Sequence, residues 1–333
     1  MKDQSKFLSN FQPIIIIGMH RSGTTMITKI LRELGLFVGI DLEPNLESLY
    51  FFERNISILK VCNGSYLYPD VINHLERYSK TKKEIVHLLK KDLNSFNVIN
   101  FLGTKYYFKY RSIFNINFPW GWKDPRNTFT LPLWLEIFPN SKIIHVYRNG
   151  IDVASSLYTR EKKILSNYLL SKNEKGNFIK RQIDIIKRYG ILLFVVKKFH
   201  SFIRKLDPLY KYELFGIQPD ISIEDAFRLW EKYIQKAFEH SQQRTDMFLH
   251  IKYEDFLANP DHYIKLLLEF CEISWKNSGY TKIKNMINRD RKFAFMNDRN
   301  LIKFYDVVKD SYWMKRLDYG NITSQKQSFS FMS

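Results

Sequence analysis

The chain has 333 residues, 45% of them hydrophobic and 16% aromatic, enough for a substantial core and against a disordered or fibrous protein. Its net charge of +18 excludes an acidic surface and favours a polyanionic ligand, nucleic acid or membrane surface nearby. Cys62 and Cys271 stand too far apart for a metal-ligand pair or a disulfide framework, which fits a reducing, cytoplasmic setting. Residues 191–196 are among the longest apolar runs and are far too short to span a bilayer. The first twelve residues hold no apolar region of signal-peptide type.

Taken in chain order, the β-branched run Ile14, Ile15, Ile16 and Ile17 after Pro13 predicts a buried central strand. "GMHRSGTT", residues 18–25, follows, and then Met26, Ile27, Ile30, Leu31 and Leu34 recur at helical spacing up to Gly35. A strand, a glycine-bounded turn and a helix aim successive backbone N–H groups and the helix N-terminus at one anion. The loop has the Gly-x-x-x-x-Gly length of a phosphate loop, but Thr24 and Thr25 stand where an ATPase or kinase carries Lys and then Ser or Thr. Arg21 is its only fixed cation, in the arch of the loop, which suits a compact terminal anion with no metal bridge.

"LEPNLESLYFFERNISIL", residues 42–59, carries two carboxylates of interest. Glu53 follows the apolar run Tyr50, Phe51, Phe52 and heads an apparent helix, so burial is expected to raise its pKa towards a useful value. Glu47, Asp41 and His20 are the reserves for a proton acceptor. In "GWKDPR", residues 121–126, Trp122 and Lys123 read as the end of another parallel strand, with Lys123 and Asp124 facing the crevice beyond it. Residues 142–148 read as a further buried strand ending in Arg148, followed by a helix through Ile151, Val153, Ala154 and Leu157. Residues 160–205 hold 13 Lys or Arg against 3 acidic residues, a basic helical insertion of about 160–220 that fits a lid, an anionic membrane surface or a solvated face. Phe227, Trp230, Tyr233, Ile234 and Phe238 form a helix into a last strand, Phe248 to Tyr253, and Asn259 with Pro260 starts the next helix. A C-terminal extension of about 273–333 closes the chain.

Alternating strands and helices predict a three-layer α/β/α domain around a central parallel sheet, with ligands at the carboxyl ends of the strands. The loop, Arg148 and Tyr253 all fall at such ends. Four motifs, in the family's order along the chain, carry a resemblance. "GMHRSGTT" is similar to the 5′-phosphosulfate loop of sulfotransferases that use 3′-phosphoadenosine 5′-phosphosulfate (PAPS). "VYRNGIDVASSL", residues 146–157, resembles that family's 3′-phosphate motif, with Arg148 and Ser156 eight residues apart. "KYEDFLANP", residues 252–260, resembles the strand and turn whose tyrosine lies near the adenine, and "GWKDPR" resembles a segment of bacterial members.

The resemblance implies a P-loop NTPase-like sulfotransferase fold over residues 1–333, PAPS as co-substrate and no metal. It implies His20, Arg21, Ser22, Gly23, Thr24, Thr25 and Met26 around the 5′ end, Arg148 and Ser156 on the 3′-phosphate, and Tyr253 beside the adenine. Arg21 would offset charge on the bridging oxygen and Glu53 would take the acceptor's proton. The acceptor reads by default as a hydroxyl or amine of a carbohydrate or glycan, with a lipid, a peptide tyrosine or a small phenol left open. A P-loop kinase or NTPase is the alternative, disfavoured by the missing lysine. A nucleic-acid binder is disfavoured because no recognition module is present.

Overall fold

The computed structural model describes residues 11–170, 221–274 and 280–322. The chain divides into one unit of residues 1–155 with 227–333 and a second of residues 156–226. In chain order the elements are β1 (Ile14–Ile17), α1 (Thr24–Glu33), α2 (Leu49–Val61), α3 (Ser79–Leu93), α4 (Ile99–Tyr110), β2 (Gly121–Lys123), α5 (Asn127–Ile137), β3 (Lys142–Tyr147), α6 (Gly150–Leu170), α7 (Ile223–Gln242), β4 (Phe248–Lys252), α8 (Tyr253–Ala258), α9 (Pro260–Cys271), α10 (Tyr280–Asn285), α11 (Arg299–Val308) and α12 (Tyr312–Arg316).

The strands form one sheet in the order β2-β1-β3-β4, and every pairing is parallel. The isoleucine run of β1 is buried along its whole length because side chains alternate between two covered faces. Ile14 and Ile16 join Ile144, Val146 and Ile251 against Ile27, Ile30 and Leu31 of α1 and Ile264 and Leu267 of α9. On the other face Phe51 of α2 stacks on Trp122 with centroids 3.9 Å apart, and Trp134 of α5 meets the Trp122 edge at 5.2 Å. Phe238 of α7 stacks on His250 of β4 at 4.6 Å. Helices on both faces of a parallel sheet make the expected three-layer α/β/α architecture.

Helix ends follow local chemistry. Leu34 caps α1 and Gly35 takes a positive φ of 111°, a backbone state that glycine adopts without a Cβ clash. Pro260 occupies the first turn of α9, and the Asn259 side chain accepts the His262 N–H at 3.4 Å. One boundary differs from the sequence expectation. α2 begins at Leu49, so Glu53 lies inside the helix and not at its head. The chain enters it from a tight loop in which Glu43 N–H donates to Glu47 and Leu49 N–H to Asp41. These backbone bonds begin the helix a turn earlier than the apolar pattern indicates.

Sheet order places the site. β1 lies between β2 and β3, and the chain leaves β1 towards β2 but leaves β3 towards β4. The crevice at the carboxyl ends of β1 and β3 is therefore a topological switch point.

Candidate functional site

The loop after β1 is held open by tight backbone contacts. Gly18 has φ 133°, and a Cβ there would lie 2.2 Å from the Val146 carbonyl oxygen of the neighbouring strand. Its N–H donates to Thr128 Oγ1 at 3.2 Å. Arg21 takes φ 73° and its side chain is exposed. Gly23 caps α1 with φ 98° and offers no side-chain cap. The N–H groups of Thr24 and Thr25 in the first helical turn have no carbonyl of their own helix to meet. No acidic residue lies in that turn, so the positive end of the helix dipole is uncompensated from within α1.

Two hydroxyls of the loop face inward or sideways. Ser22 is buried and its hydroxyl lies 2.7 Å from Met19 O and 3.0 Å from Val146 O, a bifurcated donation that pins the loop to β3. Thr25 Oγ1 donates to Asn45 O at 3.2 Å, which ties the 41–48 segment to the start of α1. Thr24 and Met26 are in the first turn, Thr24 buried and Met26 packed against the core. His20 meets Tyr66 edge-to-face at 5.0 Å.

Tyr253, at the end of β4, lies against the loop. A Cβ on Gly23 would sit 2.3 Å from Tyr253 Cδ2, so only glycine lets the ring approach. The other side of this neighbourhood is Arg148, whose guanidinium carbon lies 4.9 Å from the Tyr253 ring centroid. Arg148 is 7% exposed. Its Nη2 donates to Arg291 O at 2.7 Å and pairs with Asp152 Oδ2 at 3.1 Å. Its Nε is buried and has no acceptor among the described residues. Burial pushes the Asp152 carboxyl up, against the opposing pull of Arg148. Ser156 is half-buried on α6 and belongs to the second unit.

A set of residues that the sequence reading passed over fixes the turn after Arg148. Glu254 is buried, accepts the Asn149 N–H at 2.9 Å and accepts the Tyr319 hydroxyl at 2.7 Å. Asp152 accepts the Phe295 N–H at 2.8 Å, and Trp230 Nε1 donates to Arg148 O at 3.0 Å. Glu254 had a signal, an acid beside the tyrosine of "KYEDFLANP"; Tyr319 and Phe295 had none, since their partners are far away in sequence.

The end of β2 is a different kind of place. Lys123 is 2% exposed and its Nζ meets Glu47 Oε1 at 2.5 Å, with Glu47 buried too. Burial pulls the Lys123 ammonium below its ordinary range, and Glu47 opposes that shift. Asp124 Oδ1 accepts from Arg126 N and Nη1 at 2.9 and 3.0 Å, and its Oδ2 accepts from Asn55 at 2.9 Å. Asn55 Oδ1 in turn accepts from Thr130 and Trp134 at 2.8 and 2.9 Å. Lys123 and Asp124 thus point into a closed polar network. Glu53 is 29% exposed in its side chain and lies 3.6 Å from Arg54 Nη1, not in the apolar pocket expected of it. The run Tyr50, Phe51, Phe52 buries Tyr50 and Phe51 instead.

A profile for the sulfotransferase family matches residues 13–174 and 198–277, which is more than half of the chain. No curated protein sequence matches the chain. Among solved structures, a sulfotransferase domain from the curacin biosynthetic pathway is similar at 16% identity and TM-score 0.41, over 85% of this chain and 81% of that one. Sulfotransferase STF9 from Mycobacterium avium is similar at 11% identity and TM-score 0.38, over 90% and 77% of the two chains. Sulfotransferase STF1 from Mycobacterium tuberculosis H37Rv is similar at 12% identity and TM-score 0.39, over 83% and 72%. At these scores the assignment rests on the family profile, whose span takes in the glycine loop, the strand end of Arg148 and the Tyr253 turn: the chain belongs to the sulfotransferase family.

Proposed function

We propose that the protein transfers the sulfuryl group of PAPS to a hydroxyl or amine of an acceptor, a carbohydrate or glycan, and releases 3′,5′-bisphosphoadenosine (PAP). The observation that carries this reading is the Tyr253 ring, packed against Gly23 of the loop and with its centroid 4.9 Å from the Arg148 guanidinium carbon. It brings the loop and Arg148 against one aromatic ring, and PAPS presents two anionic groups and a nucleoside. The buried Nε–H of Arg148, without an acceptor among the described residues, fits a 3′-phosphate oxygen. Ser156 is the second donor in this reading. Asp152 takes one face of the same guanidinium, so the phosphate uses what Asp152 leaves.

In this reading the first-turn N–H groups and Arg21 hold the 5′ end. The acceptor oxygen attacks sulfur in line, and a new S–O bond forms as the bond to the bridging oxygen breaks. The electron pair stays on the 5′-phosphate, where Arg21 offsets the growing charge. Glu53 takes the acceptor's proton. It is part-exposed, whereas Glu47 is locked on Lys123. The basic insertion expected over residues 160–205 lies mostly outside the described part of the chain.

Calorimetry with PAP and with ATP plus Mg²⁺ tests the donor. Micromolar binding of PAP with weak ATP binding is expected, and the reverse order would restore the NTPase reading. Mass spectrometry of glycan acceptors after incubation with PAPS, read for added sulfate, tests the reaction.

A further inference from the structure

Residues 79–111, on α3 and α4 and the turn between them, hold eight Lys or Arg against two acidic residues. One of those acids, Asp92, is taken by Arg54 at 2.7 Å. This charged surface surrounds rings that the core does not use. Phe96 and Phe108 are 48% and 62% exposed. Tyr107 joins them, with its ring 5.2 Å from Phe96 and 5.9 Å from Phe108. Arg111 ends α4 with φ 61° and lies 5.5 Å from the Tyr107 ring and 4.9 Å from the Phe108 ring. Lys105 and Lys109 stand one helical turn apart, both exposed, with Lys105 on the Phe108 side of the helix. The apolar centre therefore holds Arg111 against its rings, and Lys105 and Lys109 are exposed on the same helix, beside Tyr106 and Tyr110.

We propose that this face docks on the surface of a lipid bilayer rich in anionic headgroups. The rings sit at the boundary between headgroups and acyl chains, and Lys105, Lys109 and Arg111 reach the phosphates. A soluble polysaccharide polyanion would be held by the cations alone, because it has no aromatic base to stack on a phenylalanine ring. The two exposed phenylalanines favour the lipid. The contact is peripheral, since no helix among the described residues is long and apolar enough to cross a membrane. The surface is separate from the loop and Arg148, so it stands or falls independently of the donor and acceptor reading.

Co-sedimentation of the full chain with phosphatidylcholine vesicles, with and without phosphatidylserine, tests it. Binding is expected only with phosphatidylserine, and it should weaken as salt is raised. K105Q/K109Q should weaken it roughly 30-fold, from about 1 kcal/mol per cation near the surface. F96S/F108S should weaken it about tenfold or more. Both variants should keep the wild-type unfolding midpoint and PAP affinity. Wild-type binding by both variants, equal sedimentation with neutral vesicles, or no sedimentation at all would each overturn the proposal. Patch-dependent retention of dextran sulfate without vesicle binding would assign the face to a soluble polyanion and overturn it too.

Discussion

At the end of β2, Asn55 donates to Asp124 and Asn127 and accepts from Thr130 and Trp134. At the end of β1, one strand away on the same edge of the sheet, the Thr24 and Thr25 N–H groups have no carbonyl of their own helix to meet, and the Nε of Arg148 has no acceptor among the described residues. Both regions are polar and both are walled by packed aromatics. Buried polar groups that satisfy one another fix a shape, whereas donors left open in a concave setting recruit an anion. The contrast also bears on two carboxylates six residues apart: Glu47 belongs to the closed region, whereas Glu53 is part-exposed beside Arg54.

The largest expected effect tests the closed region. Lys123→Met leaves the Glu47 carboxylate buried and unpaired, so stability should fall by about 3–5 kcal/mol in denaturant unfolding. The double change K123M/E47L should recover most of that loss, because apolar pairs replace buried ion pairs at little cost. If K123M is neutral, the network at β2 is not the structural clamp described above.

Arg21→Ala tests the open region. Its side chain is exposed and its loss should leave stability nearly unchanged, while turnover falls about 10²–10³-fold. Equal losses in turnover and in PAP affinity would make it a binding residue only. Glu53→Gln should slow turnover at least ~100-fold with PAP affinity kept, and the ascending limb of the pH-rate profile should vanish. Glu47→Gln should register first in unfolding. If Glu47→Gln abolishes turnover in a folded protein while Glu53→Gln does not, the proton acceptor lies at the closed end and the contrast fails there.

Arg148→Ala should weaken PAP binding on the order of 10- to 150-fold, the cost of a charged hydrogen bond to phosphate. Unchanged affinity by calorimetry would remove Arg148 from the site.

A pH-dependent effect comes from behind the sheet edge. His145 and His250 face each other across β3 and β4 with Nδ1 atoms 2.9 Å apart, a contact that needs one donor and one acceptor. Burial holds His145 well below the ordinary imidazole range and brings His250 and His240 to about 4. The unfolded chain takes these protons near pH 6.5 and the folded one does not. Stability is then complete above about pH 6.5 and falls as pH drops towards about 4, by up to ~1.4 kcal/mol per pH unit for each histidine. Unfolding midpoints between pH 7 and pH 5 check this, and His250→Phe should flatten the slope.

The sequence by itself determined the parts that depend on near neighbours. Four consecutive isoleucines have no exposed face to offer, so β1 had to be central, and the glycine-bounded turn after it had to open a helix. Pro260 after Asn259 fixed the start of α9 for the same local reason. The order of Arg148 and Ser156, and the tyrosine at the β4 end, were legible as motifs. Tertiary structure decided what each polar group faces. Ser22 stands in the loop as an anion donor by sequence, but β3 lies close enough for its hydroxyl to reach Val146 O. Glu53 follows an apolar run, but the helix starts at Leu49 and its rotation buries Tyr50 and Phe51, leaving Glu53 beside Arg54. Lys123 pairs with Glu47 across 76 residues, and Glu254 with Tyr319 across 65. Partners at such separations leave no periodicity or spacing in the chain. They are chosen by which strands become neighbours, because a buried charge must find its counterpart wherever the sheet brings one within reach.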